Sequence, residues 1–351
     1  MNKIKVAVIG CGTISDNHME SYVNNELTEI KYLIDISQES AVEKAQKYGV
    51  THTETDFKKI LDDKEVEVVS ICTPNNTHAP IAIECLNAGK HVLCEKPAGI
   101  NMKQVSEMKA AAERNNRILN IGVVNRYNTA VNKIKQIIDN GELGKVYHVY
   151  CSFRSHRSIP GLGGPFTTKD IAGGGVLIDW GVHFLDLIFY SLNQPKVLTV
   201  SGATHSELAK DMKDYTYINM WAGPPVYDGT YDVEDFVTGL IRTTGPTISL
   251  NGAWAQNIDE SAMFVEFLGD KAGIKLQYGG NFKIYSAKNG NLYETTPTYT
   301  TSDAFYGEID GFIQSVINQK KGRSHIDNVI VTSEVMEAIY LSAEKGREIE
   351  L

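Results

Sequence analysis

The chain is poor in cysteine and has no C-x-x-C pair. Its five cysteines, Cys11, Cys72, Cys85, Cys94 and Cys151, are scattered and odd in number. A disulfide framework and a cysteine-based zinc site are therefore disfavoured, and reduced thiols at buried strand ends are expected. No continuous run approaches the ~20 apolar residues of a membrane-spanning helix. The first residues pass straight into a strand without a signal-peptide profile, so a cytoplasmic protein with no membrane partner is expected. There is no internal repeat and no low-complexity tract. Positive charge is also lacking. The net charge is −9, with Asp and Glu spread along the chain, which argues against a general nucleic-acid or anionic-membrane binder.

What is present is ordinary for a globular enzyme. With 42% hydrophobic and 22% charged residues over 351 positions, the chain can bury a core and has the length of two domains.

The first thirty-five residues carry the most information. Lys3–Ile9 is a short apolar run of strand type. Gly10-Cys11-Gly12-Thr13-Ile14-Ser15 follows it, and a polar helical segment begins at Asp16. A second apolar run, Ile30–Ile34, ends on Asp35. Strand, glycine turn, helix, strand and acid is the order of a dinucleotide-binding βαβ unit. Gly10 permits the tight turn. Gly12 lets backbone approach a pyrophosphate lying on the free amides of a helix N-terminus. Ser15, in place of a third glycine, is small enough for close helix–strand packing. Asp35 stands where a carboxylate grips the adenosine ribose. It would repel a 2′-phosphate, and no arginine follows it, so NAD is favoured over NADP.

Alternating strands and helices continue to about residue 123 and predict a doubly wound parallel sheet. Helices are expected at Gln38–Tyr48, His78–Asn87 and Asn101–Asn115, with Asn76 or Thr77 capping the second and Asn101 the third. From Lys145 the pattern changes to longer alternating strands of antiparallel type. One helix around Gly175–Ser191 interrupts them, and a last helix at about Asn328–Lys345 closes the chain. The expected domains are 1–124, dinucleotide-binding, and 125–351, α+β with an open sheet of about five to seven strands. An open sheet has a face to cover, so a homodimer or homotetramer through that sheet is expected.

Three further segments could carry chemistry. Cys72-Thr73-Pro74-Asn75-Asn76-Thr77-His78 follows a buried strand at the ligand edge of the sheet, either as a binding loop or as a helix cap. Glu95-Lys96-Pro97 follows the short strand His91–Cys94 and would aim the Lys96 ammonium into the cofactor crevice, unless Lys96 is a plain surface lysine. In the run Gly173–Asp186, Asp179 and His183 are four apart and share a helix face with Asp186. Imidazole titrates near neutrality and suits proton transfer with an alcohol. A buried hydrogen-bonded pair is the bland alternative. A metal site is not expected, because no third ligand stands at sensible spacing. Arg126 and Tyr127 after the last parallel strand, Arg154, His156 and Arg157 at a later strand end, and Tyr231–Asp235 are further candidates for hydroxyl recognition. Each is equally readable as surface charge.

Taken together, GCGTISDNH, CTPNNTHAP, GKHVLCEKP and GGGVLIDWGVHFLDL resemble the glucose–fructose oxidoreductase / inositol dehydrogenase / MocA family of NAD(P)-dependent oxidoreductases, over the whole chain. The resemblance implies Lys96, Asp179 and His183 as the catalytic group. It also implies a cofactor site of Gly10, Gly12, Thr13, Ile14, Asp35, Thr73, Pro74, Asn75, His78, Glu95 and Lys96. The substrate implied is a sugar, sugar derivative or cyclitol, with Trp180 shaping its pocket beside Arg126, Arg154, His156 and Tyr231. His183 would accept the hydroxyl proton, Lys96 would steady the reacting oxygen, and Asp179 would orient His183 or bind a neighbouring hydroxyl. Lys96 and His183 are expected to act on one substrate from different domains. An NAD-dependent glycosidase working by transient oxidation, and a non-catalytic NAD-binding regulator, are the alternatives.

Overall fold

The computed structural model describes residues 3–351. In chain order the first elements are β1 (Ile4–Ile9), α1 (Ser15–Asn24), β2 (Thr28–Ile34), α2 (Gln38–Tyr48), β3 (His52–Glu54), β4 (Val66–Ile71) and α3 (Asn75–Asn87). β5 (His91–Glu95), α4 (Met102–Arg114) and β6 (Leu119–Gly122) complete the first series. Next come α5 (Thr129–Asp139), β7 (Val146–Arg154), the short α6 (Lys169–Ala172) and α7 (Val182–Ser191). The later strands are β8 (Val197–His205), β9 (Phe236–Thr243), β10 (Thr247–Ala253), β11 (Ala262–Gly269), β12 (Ala272–Gln277), β13 (Phe282–Lys288) and β14 (Asn291–Thr295). α8 (Ala304–Asn318), α9 (Ile326–Lys345) and β15 (Ile349–Glu350) end the chain.

These elements form two compact units. The first comprises residues up to Tyr127 together with Ser302–Ile330; the second comprises Asn128–Thr301 and Val331–Leu351. The expected division into 1–124 and 125–351 is corrected here. α8, which the sequence reading did not find, belongs with the first unit. Its Ile309, Phe312, Ile313 and Val316 share a buried cluster with Met19 and Tyr22 of α1.

The first unit holds a six-stranded sheet in the order β3-β2-β1-β4-β5-β6, every neighbouring pair parallel. β1, β4 and β5 are buried along almost their whole length, because helices cover both faces. This is the doubly wound arrangement, and its order reverses between β1 and β4. A dinucleotide belongs at the strand ends beside that reversal. The capping expectations hold in part. Asn101 caps α4, accepting the Gln104 amide at 3.0 Å, and Gly49 closes α2 in the left-handed conformation. α3, however, starts at Asn75, three residues before the expected His78. Neither Asn76 nor Thr77 caps it; the Thr77 hydroxyl instead donates to the Pro74 carbonyl at 2.7 Å.

The second unit is built on a nine-stranded sheet, order β14-β13-β12-β11-β7-β10-β9-β8-β15. That exceeds the five to seven strands expected, since β13 and β14 are largely exposed and β15 is a two-residue edge strand. All its pairings are antiparallel except β10 with β7. One face packs on α5, α7 and the later part of α9 around Phe153, Phe184, Phe189, Trp254 and Ile339. The stretch Lys169–Ser191 is, by length and composition, apolar enough to cross a membrane, contrary to the reading that no run comes near it. With 72% of its apolar window buried inside the protein, it serves as the core helical stretch of this unit. The five cysteines are free and buried, as expected.

Candidate active site

The glycine turn stands as the sequence demands. Gly10 has φ +93°, and a Cβ there would lie 2.4 Å from the Cys72 carbonyl oxygen, so the first turn and the loop after β4 pack backbone to backbone. Gly12 is exposed and a Cβ on it would meet nothing within 4 Å, which leaves that side of the turn open. The Ser15 hydroxyl donates to the Gly12 carbonyl at 2.6 Å. α1 begins without a side-chain cap, and its Asp16 and Asn17 amides make only long bonds to the turn carbonyls of Thr13 and Ile14, at 3.3 and 3.2 Å. Thr13 and Ile14 lie on this turn. Asp35, half-buried, accepts the Cys11 amide at 2.7 Å and the Ser37 amide at 2.8 Å. Two backbone bonds thus fix its carboxylate beside the turn. An open glycine, an uncapped helix start and a fixed acid together fit an NAD pyrophosphate and ribose.

The loops after β4 and β5 are tied by His78. Its Nδ1 lies 2.7 Å from the Pro97 carbonyl oxygen and its Nε2 2.8 Å from that of Thr73. Burial lowers its pKa. His78 was expected among the cofactor ligands; buried and turned onto two backbone carbonyls, it braces the loops instead. Thr73, Pro74 and Asn75 remain at the open edge, half-buried or exposed.

Glu95 is likewise corrected. It is buried, and its Oε1 accepts from or pairs with His18 Nε2 at 2.9 Å rather than facing the cofactor edge. Its Oε2 accepts the Lys96 backbone amide at 3.0 Å. Burial works against charge on both partners. Nevertheless the Cys72 side chain and the Glu95 carboxylate hold His18 well above its ordinary range, and His18 holds Glu95 below its own. A carboxylate oxygen of Glu308 lies within 4.8 Å of this pair. These three groups are close enough to ligate an ion, but His18 and Glu95 already hold each other by a direct hydrogen bond. Lys96 itself is half-buried.

In the second unit, Leu177–Gly181 forms a π-turn that runs directly into α7, not the regular α-helix expected. Such wide turns occur mostly at functional sites. Asp179 lies within it, buried; His183 lies one turn on, half-buried. Asp179 Oδ2 accepts the indole N–H of Trp254 at 3.3 Å. Asp186, placed by spacing on the same face, is instead buried against Thr332, whose hydroxyl is 3.4 Å away. The start of the stretch is held by Glu234. Its Oε2 accepts the Gly175 amide at 2.9 Å, and its Oε1 accepts the Leu177 amide at 3.0 Å and the Tyr340 hydroxyl at 2.8 Å. Burial raises the Glu234 pKa. A Cβ on Gly175 would fall 1.9 Å from the Glu234 carbonyl oxygen, and one on Gly174 2.1 Å from the Tyr340 hydroxyl. The glycine run is therefore needed for close approach. Glu234, a candidate for hydroxyl recognition, is corrected to the anchor of the Asp179 turn.

The other candidates divide. Arg126 is buried, and its guanidinium donates to the carbonyls of Arg323, at 2.5 Å, and Asn328, at 2.6 Å. It thus ties the first unit together. Tyr127 packs on α8 and accepts the Ser324 hydroxyl at 2.9 Å. His156 Nδ1 is taken by the carbonyls of Gln256 and Ile258, each at 3.0 Å. The Arg157 guanidinium pairs with Asn257. Arg154 bonds the Ser152 hydroxyl at 3.2 Å and Trp180 is half-buried. Tyr231 donates to Asp235 at 3.2 Å and borders a polar cavity of about 460 Å³ with Lys169, His205 and Lys210. Sequence reasoning missed His18, Trp254 and Tyr340. His18 stood in the quoted GCGTISDNH run; the other two meet partners 75 and 106 positions away.

The chain matches known proteins along most of its length. The description "Oxidoreductase family, NAD-binding Rossmann fold" fits residues 4–123, and "GFO/IDH/MocA C-terminal domain" fits residues 131–275. D-glucoside 3-dehydrogenase of Escherichia coli (strain K12) is 30% identical over 99% of this chain and 97% of the relative. Glucose-6-phosphate 3-dehydrogenase of Bacillus subtilis (strain 168) is 31% identical over 90% of this chain and 87% of the relative. A levoglucosan dehydrogenase solved with NADH and L-sorbose shares the fold at a TM-score of 0.88, with 22% identity over 100% of this chain and 99% of that one. With its glycine turn, its six parallel strands and its mainly antiparallel second sheet, the chain belongs to the Gfo/Idh/MocA family of NAD-binding oxidoreductases.

Proposed function

We propose that this protein oxidises the C3 hydroxyl of a glucose-type ring to the ketone, with NAD as its cofactor. The observation that carries the reading is the Asp179 π-turn with His183 one turn on, anchored by Glu234 and Trp254, in a chain that also keeps Lys96 at the end of β5. A purely regulatory NAD binder has no need of all three. The carbon and the sugar are supported by the two relatives matched over most of their length, both named as 3-dehydrogenases of glucosyl compounds. Relatives named as inositol dehydrogenases match over a smaller share, 54% of this chain for the one from Thermotoga maritima.

Gly10, Gly12, Thr13, Ile14 and the start of α1 would hold the pyrophosphate, and Asp35 the adenosine ribose. Bound NAD supplies the acceptor for the electron pair of the C3–H bond. Lys96 donates a hydrogen bond to the reacting oxygen and stabilises the negative charge that develops there. His183 takes the hydroxyl proton. Asp179, held by Trp254, orients His183 or binds the adjacent hydroxyl. Arg154, Trp180 and Tyr231 are the remaining candidates for binding the rest of the ring.

We also propose a cytoplasmic homo-oligomer joined through the second unit's sheet. Tyr150, Leu240, Phe264 and Leu268 alternate onto the face opposite its packed core, between polar residues such as His148, Ser249 and Glu266, and an open sheet face carrying such side chains favours a partner. Light scattering on the purified protein reads the assembly. The activity test is a panel of methyl glucosides, free sugars, sugar phosphates and inositols, followed at the NADH absorbance band with NAD and NADP in parallel. Methyl glucosides with NAD should give the highest kcat/KM. Turnover confined to inositols, or glycoside cleavage without net NADH, would overturn the reading.

A further inference from the structure

A buried chain of hydrogen bonds crosses the first unit and ends on the backbone of Lys96. Ser70 of β4 lies 2.8 Å from His18 Nδ1; His18 Nε2 lies 2.9 Å from Glu95 Oε1; Glu95 Oε2 accepts the Lys96 amide at 3.0 Å. Ser70 and His18 are fully buried and Glu95 is 6% exposed. The fold makes room for the carboxylate. A Cβ on Gly122 of β6, the neighbouring strand, would lie 2.8 Å from Glu95 Oε1. A buried ion pair is a poor source of stability, since apolar residues of equal volume often do as well or better. What the pair does supply is fixed geometry. His18 stands on α1, the helix that opens at the glycine turn, and Glu95 directly precedes Lys96.

We propose that His18 and Glu95 are positioning residues for Lys96: α1, through His18, holds the Glu95 carboxylate, and that carboxylate holds the Lys96 backbone, so that seating a dinucleotide on the glycine turn and placing the lysine ammonium are coupled. The inference rests on the reading of Lys96 as the group that steadies the reacting oxygen. Each partner shifts the other toward its charged form against the burial that opposes it, which agrees with a chain that stays intact at neutral pH. Ser70 completes it by fixing the imidazole from the far side.

The test is a double-mutant cycle in the full-length enzyme with NAD and a methyl glucoside. Glu95→Gln, nearly equal in shape, and His18→Gln are each made alone and in the Lys96→Ala background. kcat, KM, NAD affinity and melting temperature are read for every variant. Acting through Lys96, each single substitution should lower kcat about tenfold or more with a change in sugar KM of about threefold at most, and should change kcat by less than about twofold once Lys96 is gone. His18→Gln should also weaken NAD binding a few-fold, roughly, because the coupling runs both ways. Losses that persist undiminished in the Lys96→Ala background would mean a merely structural pair and overturn the proposal. So would wild-type kcat in both single variants while Lys96→Ala is inactive. A fully active Lys96→Ala enzyme would instead remove the reading of Lys96, and the proposal with it. Ser70→Ala, which removes only the outermost bond, serves if the charge-pair variants do not fold. It should lower kcat about two- to threefold in the wild-type background and not in Lys96→Ala, and an equal loss in both backgrounds would overturn the proposal.

Discussion

The indole N–H of Trp254 donates to Oδ2 of Asp179 at 3.3 Å, with both residues buried. A buried carboxylate needs such donors, and a hydrogen bond to a charged group contributes about 1.5–3 kcal/mol. Trp254→Phe keeps most of the ring volume and removes the donor. It should lower kcat/KM about tenfold and the melting temperature by a few degrees, roughly. Steady-state kinetics beside a thermal melt check this. Unchanged kinetics would mean that Asp179 is held by other groups.

Glu234 is the more costly residue to alter. Its carboxylate serves the amides of Gly175 and Leu177 and the hydroxyl of Tyr340, all within buried surroundings. Glu234→Ala leaves two buried amide donors and a hydroxyl without their partner, which should cost about 3 kcal/mol or more. Tyr340→Phe, which removes one bond from the same group, should cost about 1 kcal/mol. Urea midpoints at neutral pH rank the two, and an equal effect would show that the backbone bonds of Glu234 carry little.

The parts of the fold legible in the sequence are those whose signal is local. β1, β4 and β5 are covered on both faces and so read as unbroken apolar runs, and Gly10, Gly49 and Asn101 sit where turn and cap chemistry places them. α8 was hidden because Gly307 and Gly311 depress its helix propensity. The structure supplies the reason: a Cβ on Gly311 would lie 2.8 Å from the Tyr127 ring. β13 and the edge strand β14 are largely exposed and have little apolar pattern, although Asn289-Gly290, both at positive φ, is a hairpin signal. At the proposed site, Lys96, Asp179 and His183 stand out in the sequence by motif alone. Glu234 and Trp254 depend on partners 57 and 75 positions away; the run Tyr231–Asp235 marks Glu234 as polar but not as an anchor, and nothing local marks Trp254. Glu95 at the end of β5 and His78 in α3 lie beside the expected edge but turn inward, onto His18 and onto the Thr73 and Pro97 carbonyls. Spacing locates a residue on an element and does not say whether a buried imidazole waits behind it.

Acid should weaken the fold through His91. Its Nδ1 accepts the Ile118 amide at 2.9 Å, and burial, with the charge of Arg117 added, lowers its pKa to about 4. The folded protein thus keeps this ring neutral where the unfolded chain, titrating at ~6.5, takes a proton. Stability is full above about 6.5 and falls as the pH drops toward 4, by roughly 3 kcal/mol at most. His78, also lowered by burial, adds to the same window, so the readout is the difference between proteins. His91→Gln should lose less stability than wild type between pH 7 and pH 4.5 in urea titrations. Identical slopes would contradict the assignment.

Cofactor choice should turn on Asp35. Its carboxylate faces the glycine turn through the Cys11 amide, and Ile36 beside it is 95% exposed and offers no positive charge. Asp35→Ala with Ile36→Arg should raise the ratio of kcat/KM for NADP over NAD by about a hundredfold, while lowering NAD affinity because the ribose carboxylate is gone. A wild-type enzyme that already prefers NADP would show the charge argument to be wrong.

Transfer of the C3 hydrogen to the cofactor is followed directly with a methyl glucoside carrying deuterium at C3. The protein, NAD and this substrate are incubated together and the reduced cofactor is isolated for mass spectrometry. Oxidation at C3 places one deuterium in the reduced cofactor and leaves a 3-ketoglucoside. Reduced cofactor free of deuterium would mean oxidation at another carbon, and no reduced cofactor from this or any glucoside would contradict the proposed activity outright.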